Sequence, residues 1–189
     1  MDALEVLRED HQQVLDMLTR LEATPTVAAG TNGELLGARK KLVTEIVVAE
    51  SRHEAVEERY FWPAVRGEVP GGDALAEHAV DQERAAKYLL AALEETPADH
   101  PDIDSMIERL IHEGREHIDY EQNEVWPKVR EAIDKDGLDK LGTRLAEAKK
   151  TAPTRPHPDT PSAAPVQKAV GPLAALTDRI RDSIGRRRT

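Results

Sequence analysis

One motif that contains histidine, glutamate, tryptophan and proline occurs twice in the sequence. The first copy runs from His53 to Arg66, the second runs from His117 to Arg130, and both read His-x3-Glu-x4-Trp-Pro-x-Val-Arg. Residues four apart lie on the same face of an α-helix, so each copy places an imidazole beside a carboxylate. Such a pair is a metal-ligand arrangement, and its duplication indicates two metal ions.

Four helices of similar length are predicted to carry these pairs. Asp2 is a suitable N-cap for the first helix. Pro63 and Pro127 predict that the second and fourth helices end at the Trp-Pro steps, because proline lacks a backbone N–H. The four helices cover about residues 2–22, 34–61, 73–95 and 101–124, and a short further helix covers about 137–150. The short connections predict an all-α fold, an up-down-up-down four-helix bundle.

Each of the four helices has a histidine in its apolar stripe. On the third helix the inward row consists of Leu75, His78, Gln82, Ala85, Leu89 and Leu93. Across the four helices, the titratable side chains predicted to face the interior are His11, His53, Glu57, His78, His117 and Glu121. One histidine in an apolar stripe is usually a satisfied core residue. Six buried titratable groups without a metal would each cost several kcal/mol unless compensated, so the set indicates a metal site.

The composition limits the chemistry that is open to this chain. Of the 189 residues, 39% are hydrophobic and 33% are charged, which fits amphipathic helices. Because there is no cysteine, any metal must be held by nitrogen and oxygen. A formal net charge of −10 argues against a nucleic-acid partner. The first residues lack a basic segment followed by an apolar run, and no stretch is long enough to cross a membrane, so we expect a cytoplasmic protein.

Three segments are predicted along the chain. Residues 1–150 form the helical domain, and residues 151–172 are a proline-rich linker that we expect to be extended or disordered. Residues 173–189 form a short basic amphipathic tail. The tail has no partner that the sequence identifies, and solvated helices are the commoner explanation of such segments.

The order of these residues resembles a known family. A histidine, a His-x3-Glu pair, a second histidine and a second His-x3-Glu pair on four helices look like the hemerythrin-like (HHE) cation-binding domain. The resemblance implies a non-haem centre of two iron ions with an oxo or hydroxo bridge. It also implies that Glu57 and Glu121 bridge the ions. The terminal ligands would be His11, His53, His78 and His117.

One position departs from the oxygen-carrying members of that family. They have a second histidine four residues after the one on the third helix, and here that residue is Gln82. An amide is a weaker iron ligand than imidazole, so reversible oxygen carriage is not the first expectation. The position could be filled by water or by one of the nearby side chains Glu54, Glu50, Tyr60 and Tyr120.

Other histidines and other metals fit the sequence less well. His112 lies five residues before His117, which is roughly 140° round an ideal helix, so we expect it on the flank. His100 and His157 fall in a turn and in the linker. The Glu-x-x-His spacing of ferritin-type bundles occurs only at Glu50 and His53, and zinc would prefer one tetrahedral site. The nitrogen and oxygen donors favour iron, with manganese as the second choice.

The resemblance therefore leads to a functional hypothesis with one rival. The preferred hypothesis is a di-iron protein that reacts with peroxide, dioxygen or nitric oxide, including catalase-like peroxide decomposition under oxidative or nitrosative stress. The rival is a non-catalytic oxygen- or iron-binding sensor or an iron store. Peroxide turnover by the iron-loaded protein separates the two.

Overall fold

The structure, a computed structural model, describes residues 1–158, 175, 177 and 178. These residues form helices and turns and no strand, so the prediction of an all-α fold is confirmed for them. The α-helices are α1 (Ala3–Glu22), α2 (Gly33–Val56), α3 (Trp62–Glu68), α4 (Gly72–Glu95), α5 (Ile103–Tyr120), α6 (Trp126–Ala132) and α7 (Lys135–Lys149). Two π-helical turns, Glu57–Phe61 and Glu121–Val125, join α2 to α3 and α5 to α6.

Polar side chains fix where the helices begin. Asp2 accepts a hydrogen bond from the N–H of Glu5, and the Glu5 carboxylate accepts one from the N–H of Asp2, which makes a capping box. Asn32 and Asp134 cap α2 and α7, and each accepts one hydrogen bond on a side-chain oxygen, from the N–H of Leu35 and of Gly137. The first of these caps agrees with the start predicted for α1.

Four long helices surround a common interior. Helix α1 packs against α2, α2 against α4, α4 against α5, and α5 against α1. The interior contains two clusters of apolar side chains, one around Leu4, Leu7 and Trp62 and one around Leu18 and Ile46. On α1 these clusters are separated by His11. The buried side chains of His53, Glu57 and Glu121 lie beside His11, and Glu83 lies beside Glu57 and Glu121. A polar layer therefore lies between two apolar layers.

The sequence predicts that the helices end at the Trp-Pro steps, but in the structure the helical chain continues past both steps. In each repeat the chain continues through a π turn into another short helix, with Pro63 or Pro127 in the first turn. A proline is tolerated there because the first N–H groups of a helix have no intrahelical acceptor. Each π turn adds a residue to the turn, so Trp62 returns to the side of Glu57, five residues earlier. On a continuous α-helix that spacing would turn it about 140° away.

The inward face of α4 also differs from the prediction. The predicted row contained His78, but the structure buries a row that is displaced by about one residue. The buried residues are Gly72, Ala76, Ala79, Glu83, Lys87, Leu89, Leu90 and Leu93. Alanines let α4 approach its neighbours closely, and two charged side chains occupy positions that a hydropathy pattern assigns to the surface. The sequence analysis was therefore wrong about which face of α4 points to the interior.

The last described residues contact the helical domain. Helix α7 packs on α1, and after it Ala152 and Thr154 are buried. Arg155 forms an ion pair with Glu94 at the end of α4, and the Asp178 carboxylate accepts a hydrogen bond from the N–H of Thr154. The start of the proline-rich segment thus packs on the helices, which the sequence analysis did not expect. The rest of the predicted linker and most of the tail lie outside the described residues.

The described helices include none that is long and apolar enough to cross a membrane.

Substitution of Gly142 tests the contact between α7 and α1. A Cβ atom at Gly142 would lie 2.6 Å from the carbonyl oxygen of Met1 and 2.8 Å from the nitrogen of Ala3. We expect Gly142→Ala to lower the free energy of unfolding by about 1–3 kcal/mol, because backbone rather than a flexible side chain must move. Urea denaturation measures the change. Gly67→Ala is the matched control, since a Cβ atom there meets nothing within 4 Å, and it should leave stability equal or slightly higher.

Candidate metal centre

Two groups of four ligand-type side chains lie in the polar layer. The first group is His11, His53, Glu57 and Glu121, and the second is Glu57, Glu83, His117 and Glu121. Within each group the ligand atoms lie within 4.8 Å of one another. The two groups share Glu57 and Glu121, so the shared carboxylates stand between two adjacent positions for a cation.

Glu121 uses a different oxygen toward each group. Its Oε2 atom lies 3.2 Å from Nε2 of His11, and its Oε1 atom lies 3.2 Å from Nε2 of His117. In the first group, Nε2 of His53 lies 3.1 Å from Oε2 of Glu57 and 3.1 Å from Nε2 of His11. Ligand atoms about 2.1 Å from one ion and about 90° apart are separated by about 3 Å. The observed spacings match that separation.

Several of these buried atoms have no hydrogen-bond partner among the residues that the structure describes. They are both carboxylate oxygens of Glu57, both of Glu121, Oε2 of Glu83 and Nε2 of His117. A buried polar atom without a partner costs about 1–3 kcal/mol. The atoms are close together but are not aligned for hydrogen bonds with one another, as expected of donors directed at a common cation. The residues present therefore fit a binuclear metal centre.

The other ring nitrogen of each histidine faces a polar side chain. Nδ1 of His117 lies 3.1 Å from Oε1 of Gln82, and Nδ1 of His11 lies 3.0 Å from the side-chain amide of Gln122. Nδ1 of His53 lies 3.5 Å from the carboxylate of Asp10, which also pairs with Lys149. At His53 and His117 the facing atom is an oxygen, so when Nδ1 carries the proton and donates it outward, Nε2 keeps its lone pair for a metal. Nδ1 of His11 instead accepts a hydrogen bond from Nε2 of Gln122. These side chains orient the imidazoles.

The tryptophan of each repeat contacts one candidate ligand, Trp62 through a hydrogen bond and Trp126 through ring stacking. The indole N–H of Trp62 donates a hydrogen bond to Oε1 of Glu83, which leaves the other oxygen of Glu83 free for a ligand bond. Trp126 stacks on the imidazole of His11, with ring centroids 5.0 Å apart and planes 12° apart. One tryptophan thus orients a carboxylate and the other an imidazole.

A buried lysine lies beside the second group. Lys87 forms an ion pair with Glu58. Its ammonium is also attracted to the carboxylates of Glu54 and Glu83, and together these charges outweigh the effect of burial and raise the pKa of Lys87. All three carboxylates and Lys87 are buried. One ammonium therefore faces three carboxylates, so this side of the layer carries excess negative charge that a dication would offset.

The protonation states of the metal-free protein follow from burial and neighbouring charge. Burial and the Glu121 carboxylate raise the pKa of Glu57 well above its usual value. Burial and Glu58 raise the pKa of Glu83 to about 8. Burial lowers the pKa of His117, but the Glu121 carboxylate outweighs that effect and raises it to about 9. Without a metal, Glu83 and His117 therefore hold protons at neutral pH, and the shift of the Glu57 pKa favours the protonated form of that carboxyl.

The structure brings five of the six predicted ligands together. The sixth, His78, is exposed on α4 and meets the ring of Tyr120 edge-on at 4.4 Å. It belongs to neither group because the inward face of α4 is displaced from the row that the sequence predicted. The position on α4 that faces the centre is occupied by Glu83.

Gln82, Glu54 and Tyr60, which the sequence analysis considered at the remaining coordination position, lie outside both groups. Gln82 contacts the imidazole of His117 rather than entering either group. Glu54 is 2% exposed and lies on the Lys87 side of the layer, and Tyr60 is half-buried with the guanidinium of Arg59 5.3 Å from its ring. The His112 side chain is 80% exposed, as its angle on the helix predicted.

Glu83 is the candidate metal ligand that the sequence analysis missed. Its signal is a row of small and charged residues three and four apart on α4, Ala76, Ala79, Glu83 and Lys87. A second signal is the tryptophan of the first repeat, whose indole needs a buried acceptor. Neither is visible to a pattern of large apolar residues, and His78 offered a more conventional ligand.

Comparison with known proteins assigns this helical domain to a family. A model of the hemerythrin HHE cation-binding domain matches residues 2–129. The chain belongs to this family. An uncharacterized hemerythrin-like protein of Schizosaccharomyces pombe is 24% identical over 135 residues, which are 70% of this chain and 66% of that protein. The chain thus matches slightly less than two thirds of that relative's length.

A solved structure shares the hemerythrin-like fold. It is a crystal structure of a hemerythrin HHE cation-binding domain-containing protein from Mycobacterium kansasii. The TM-score is 0.66 at 19% sequence identity, and the superposition covers 94% of this chain and 99% of the other. At this identity the likeness describes the fold.

The stability of the metal-free protein should fall as pH rises from 5 to 8. Over this range folded Glu83, with its pKa raised from 4.5 to about 8, keeps a proton that the unfolded chain has released. His117 acts in the same direction at higher pH, because its pKa is raised from 6.5 to about 9. Each extra proton of the folded state lowers stability by up to about 1.4 kcal/mol per pH unit. Thermal melts in a chelating buffer at pH 5, 6.5 and 8 measure the trend, and Glu83→Gln should flatten it.

Proposed function

We propose that this hemerythrin-like protein holds two iron ions and reacts with peroxide or a small diatomic molecule. The observation that carries the proposal is the division of Glu121, with one oxygen toward His11 and the other toward His117. A carboxylate that faces two imidazoles on opposite sides suits a bridge between two cations. We further propose an up-down-up-down four-helix bundle within residues 1–150 as the unit that carries the centre, with residues 151–172 as linker and 173–189 as tail.

The two proposed positions have different donors. His11 and His53 would hold one ion and His117 and Glu83 the other, with Glu57 and Glu121 bridging them. Nitrogen and oxygen donors without thiolate suit iron, and manganese is the second choice. Oxo- or hydroxo-bridging is the arrangement that the family resemblance implies.

The protein's own groups prepare the centre for a small molecule. Bound iron would supply reversible one-electron redox chemistry. Asp10, Gln122 and Gln82 hold the imidazoles so that their Nε2 atoms point inward. The apolar layers above and below exclude water from those two sides, which strengthens the interaction of each carboxylate with a cation. The second position has one imidazole and three carboxylates, an oxygen-rich set that favours the ferric over the ferrous state.

The alternative is a non-catalytic sensor or iron store. The six buried glutamates of the polar layer favour it, because a layer so rich in carboxylates suits metal retention by itself. Oxygen binding and a part in the stress response belong to the same proposal. Peroxide turnover decides between the two functions.

Loss of a shared ligand should cost more metal than loss of an unshared one. Native protein that is reconstituted with iron should carry close to two ions per chain. Glu121 belongs to both groups and Glu83 to only one. We therefore expect Glu121→Gln to carry almost no iron and Glu83→Gln to keep about one ion, with a fall in melting temperature in proportion. Plasma emission spectrometry gives the count.

His78→Ala and His112→Ala are the controls for that experiment. Both histidines are exposed, so both variants should bind as much iron as native protein. Iron lost in His78→Ala but retained in Glu83→Gln would contradict the assignment of Glu83. One zinc ion per chain, after expression with ample iron, would contradict the binuclear proposal.

Iron-loaded native protein should decompose hydrogen peroxide with evolution of oxygen. The physical reason is the oxygen-rich second position, which favours ferric iron over the ferrous state that reversible oxygen binding needs. An oxygen electrode measures the evolution, and stopped-flow spectroscopy of the reduced protein mixed with oxygen tests for an adduct. Glu121→Gln should show no turnover, and His112→Ala should show native turnover. A stable, reversible oxygen adduct without turnover would favour the sensor or store instead.

A further inference from the structure

A pocket of about 190 Å³ leads from the surface to one side of the candidate centre. It lies between α2, α4 and α5, and its lining includes His117 of the second group and Gln82, which contacts His117. The carboxylates that line it are Glu50, Glu54, Glu113 and Glu116. The lining contains no lysine or arginine, and Arg109 pairs with one oxygen of Glu113 near the outer end.

The four carboxylates differ in depth. The side chain of Glu116 is 64% exposed and that of Glu113 is 34% exposed. Glu50 is 8% exposed and Glu54 is 2% exposed. The pocket is therefore lined by carboxylates from its exposed end inward to His117, whose side chain is 12% exposed.

Two of these carboxylates keep an oxygen without a partner. Oε2 of Glu54 and Oε2 of Glu113 are buried and have no hydrogen-bond partner among the described residues. A buried carboxylate oxygen without a partner is costly, so it indicates a ligand that is present for part of the time.

An apolar part of the pocket lining accompanies these carboxylates. It is formed by Ala85, Ala86, Leu89, Leu90 and Leu110. A cleft with charge of one sign and low-dielectric walls concentrates its field and raises the local concentration of the opposite ion. The volume would hold about six waters at about 30 Å³ each, which suits a divalent cation that keeps part of its hydration shell.

We propose that this pocket is the route by which divalent cations reach the centre, with Glu50, Glu54 and Glu113 as transient ligands. The inference rests on the proposed binuclear centre. In this route a hydrated cation meets Glu116 and Glu113 first, exchanges water for the carboxylates of Glu50 and Glu54, and then passes to the side of His117. The transient ligands change the rate of loading and leave the final occupancy unchanged.

Loading of metal-free, full-length protein with cobalt(II) tests the route. Cobalt(II) reports binding through its visible absorption and needs no oxidation, so the experiment separates cation passage from redox chemistry. Glu113→Gln should slow the stopped-flow loading rate by about three- to tenfold through the weaker field of the pocket. Glu50→Gln should slow it by a similar factor, because an amide replaces a carboxylate that would bind the passing cation. Both variants should reach the native number of bound ions. Higher salt should slow native protein more than either variant.

Glu108→Gln is the matched control. Glu108 is exposed on the same helix, α5, and does not line the pocket, so the substitution removes the same charge elsewhere. It should load at the native rate. Equal rates in native protein, Glu50→Gln and Glu113→Gln would overturn the proposal, and so would a lower final occupancy at an unchanged rate, since the residues would then be permanent ligands.

Two further results distinguish this inference from the proposed function. If native protein binds no pair of cobalt ions at equilibrium, the binuclear centre itself fails. If loading is unchanged but the variants react more slowly with peroxide after anaerobic iron loading, the pocket admits the oxidant and the cation route is overturned. Slower loading with native occupancy supports both the centre and its route.

Discussion

The structure depends on one electrostatic constraint, the burial of many carboxylates in a single layer. Six glutamates of this layer are at most 8% exposed, and the buried ammonium that faces them is that of Lys87. Carboxylates at this depth must either hold protons or share a cation. The raised pKa values of Glu57 and Glu83 describe the first state, and the convergence of Glu57 and Glu121 on two groups of imidazoles describes the second. Exchange of protons for metal therefore links folding, charge and ligand binding.

The apolar parts of the fold make that layer possible. Leucines, isoleucines and tryptophans above and below it supply the burial that stabilises the helices, so the polar residues need not contribute to packing. The π turns then return each tryptophan to the interior, where Trp62 orients Glu83 and Trp126 supports His11. The residues that a metal would touch are thus held by residues that it would not touch.

Much of this arrangement could be predicted from the sequence, and the remainder has identifiable causes. The His-x3-Glu pairs and His11 follow from helical geometry, because residues four apart share a face, and the structure brings these five residues together. Glu83 could not be found in that way, since its row consists of alanines and charged residues. The continuation past Pro63 was missed because a π turn leaves no trace in a pattern of 3.6 residues. The packing of Ala152 and Arg155 depends on contacts distant in the chain.

The two halves contribute equally to the centre. Helices α1 and α2 and the π turn after α2 supply His11, His53 and Glu57. Helices α4 and α5 and the π turn after α5 supply Glu83, His117 and Glu121. Each half has the same π turn directly at its shared glutamate, so the extra residue of that turn is simplest to explain if it preceded the duplication. A single ancestral pair of helices would have held only half of the donors. Neither half alone could form either group, because each group takes ligand atoms from both halves.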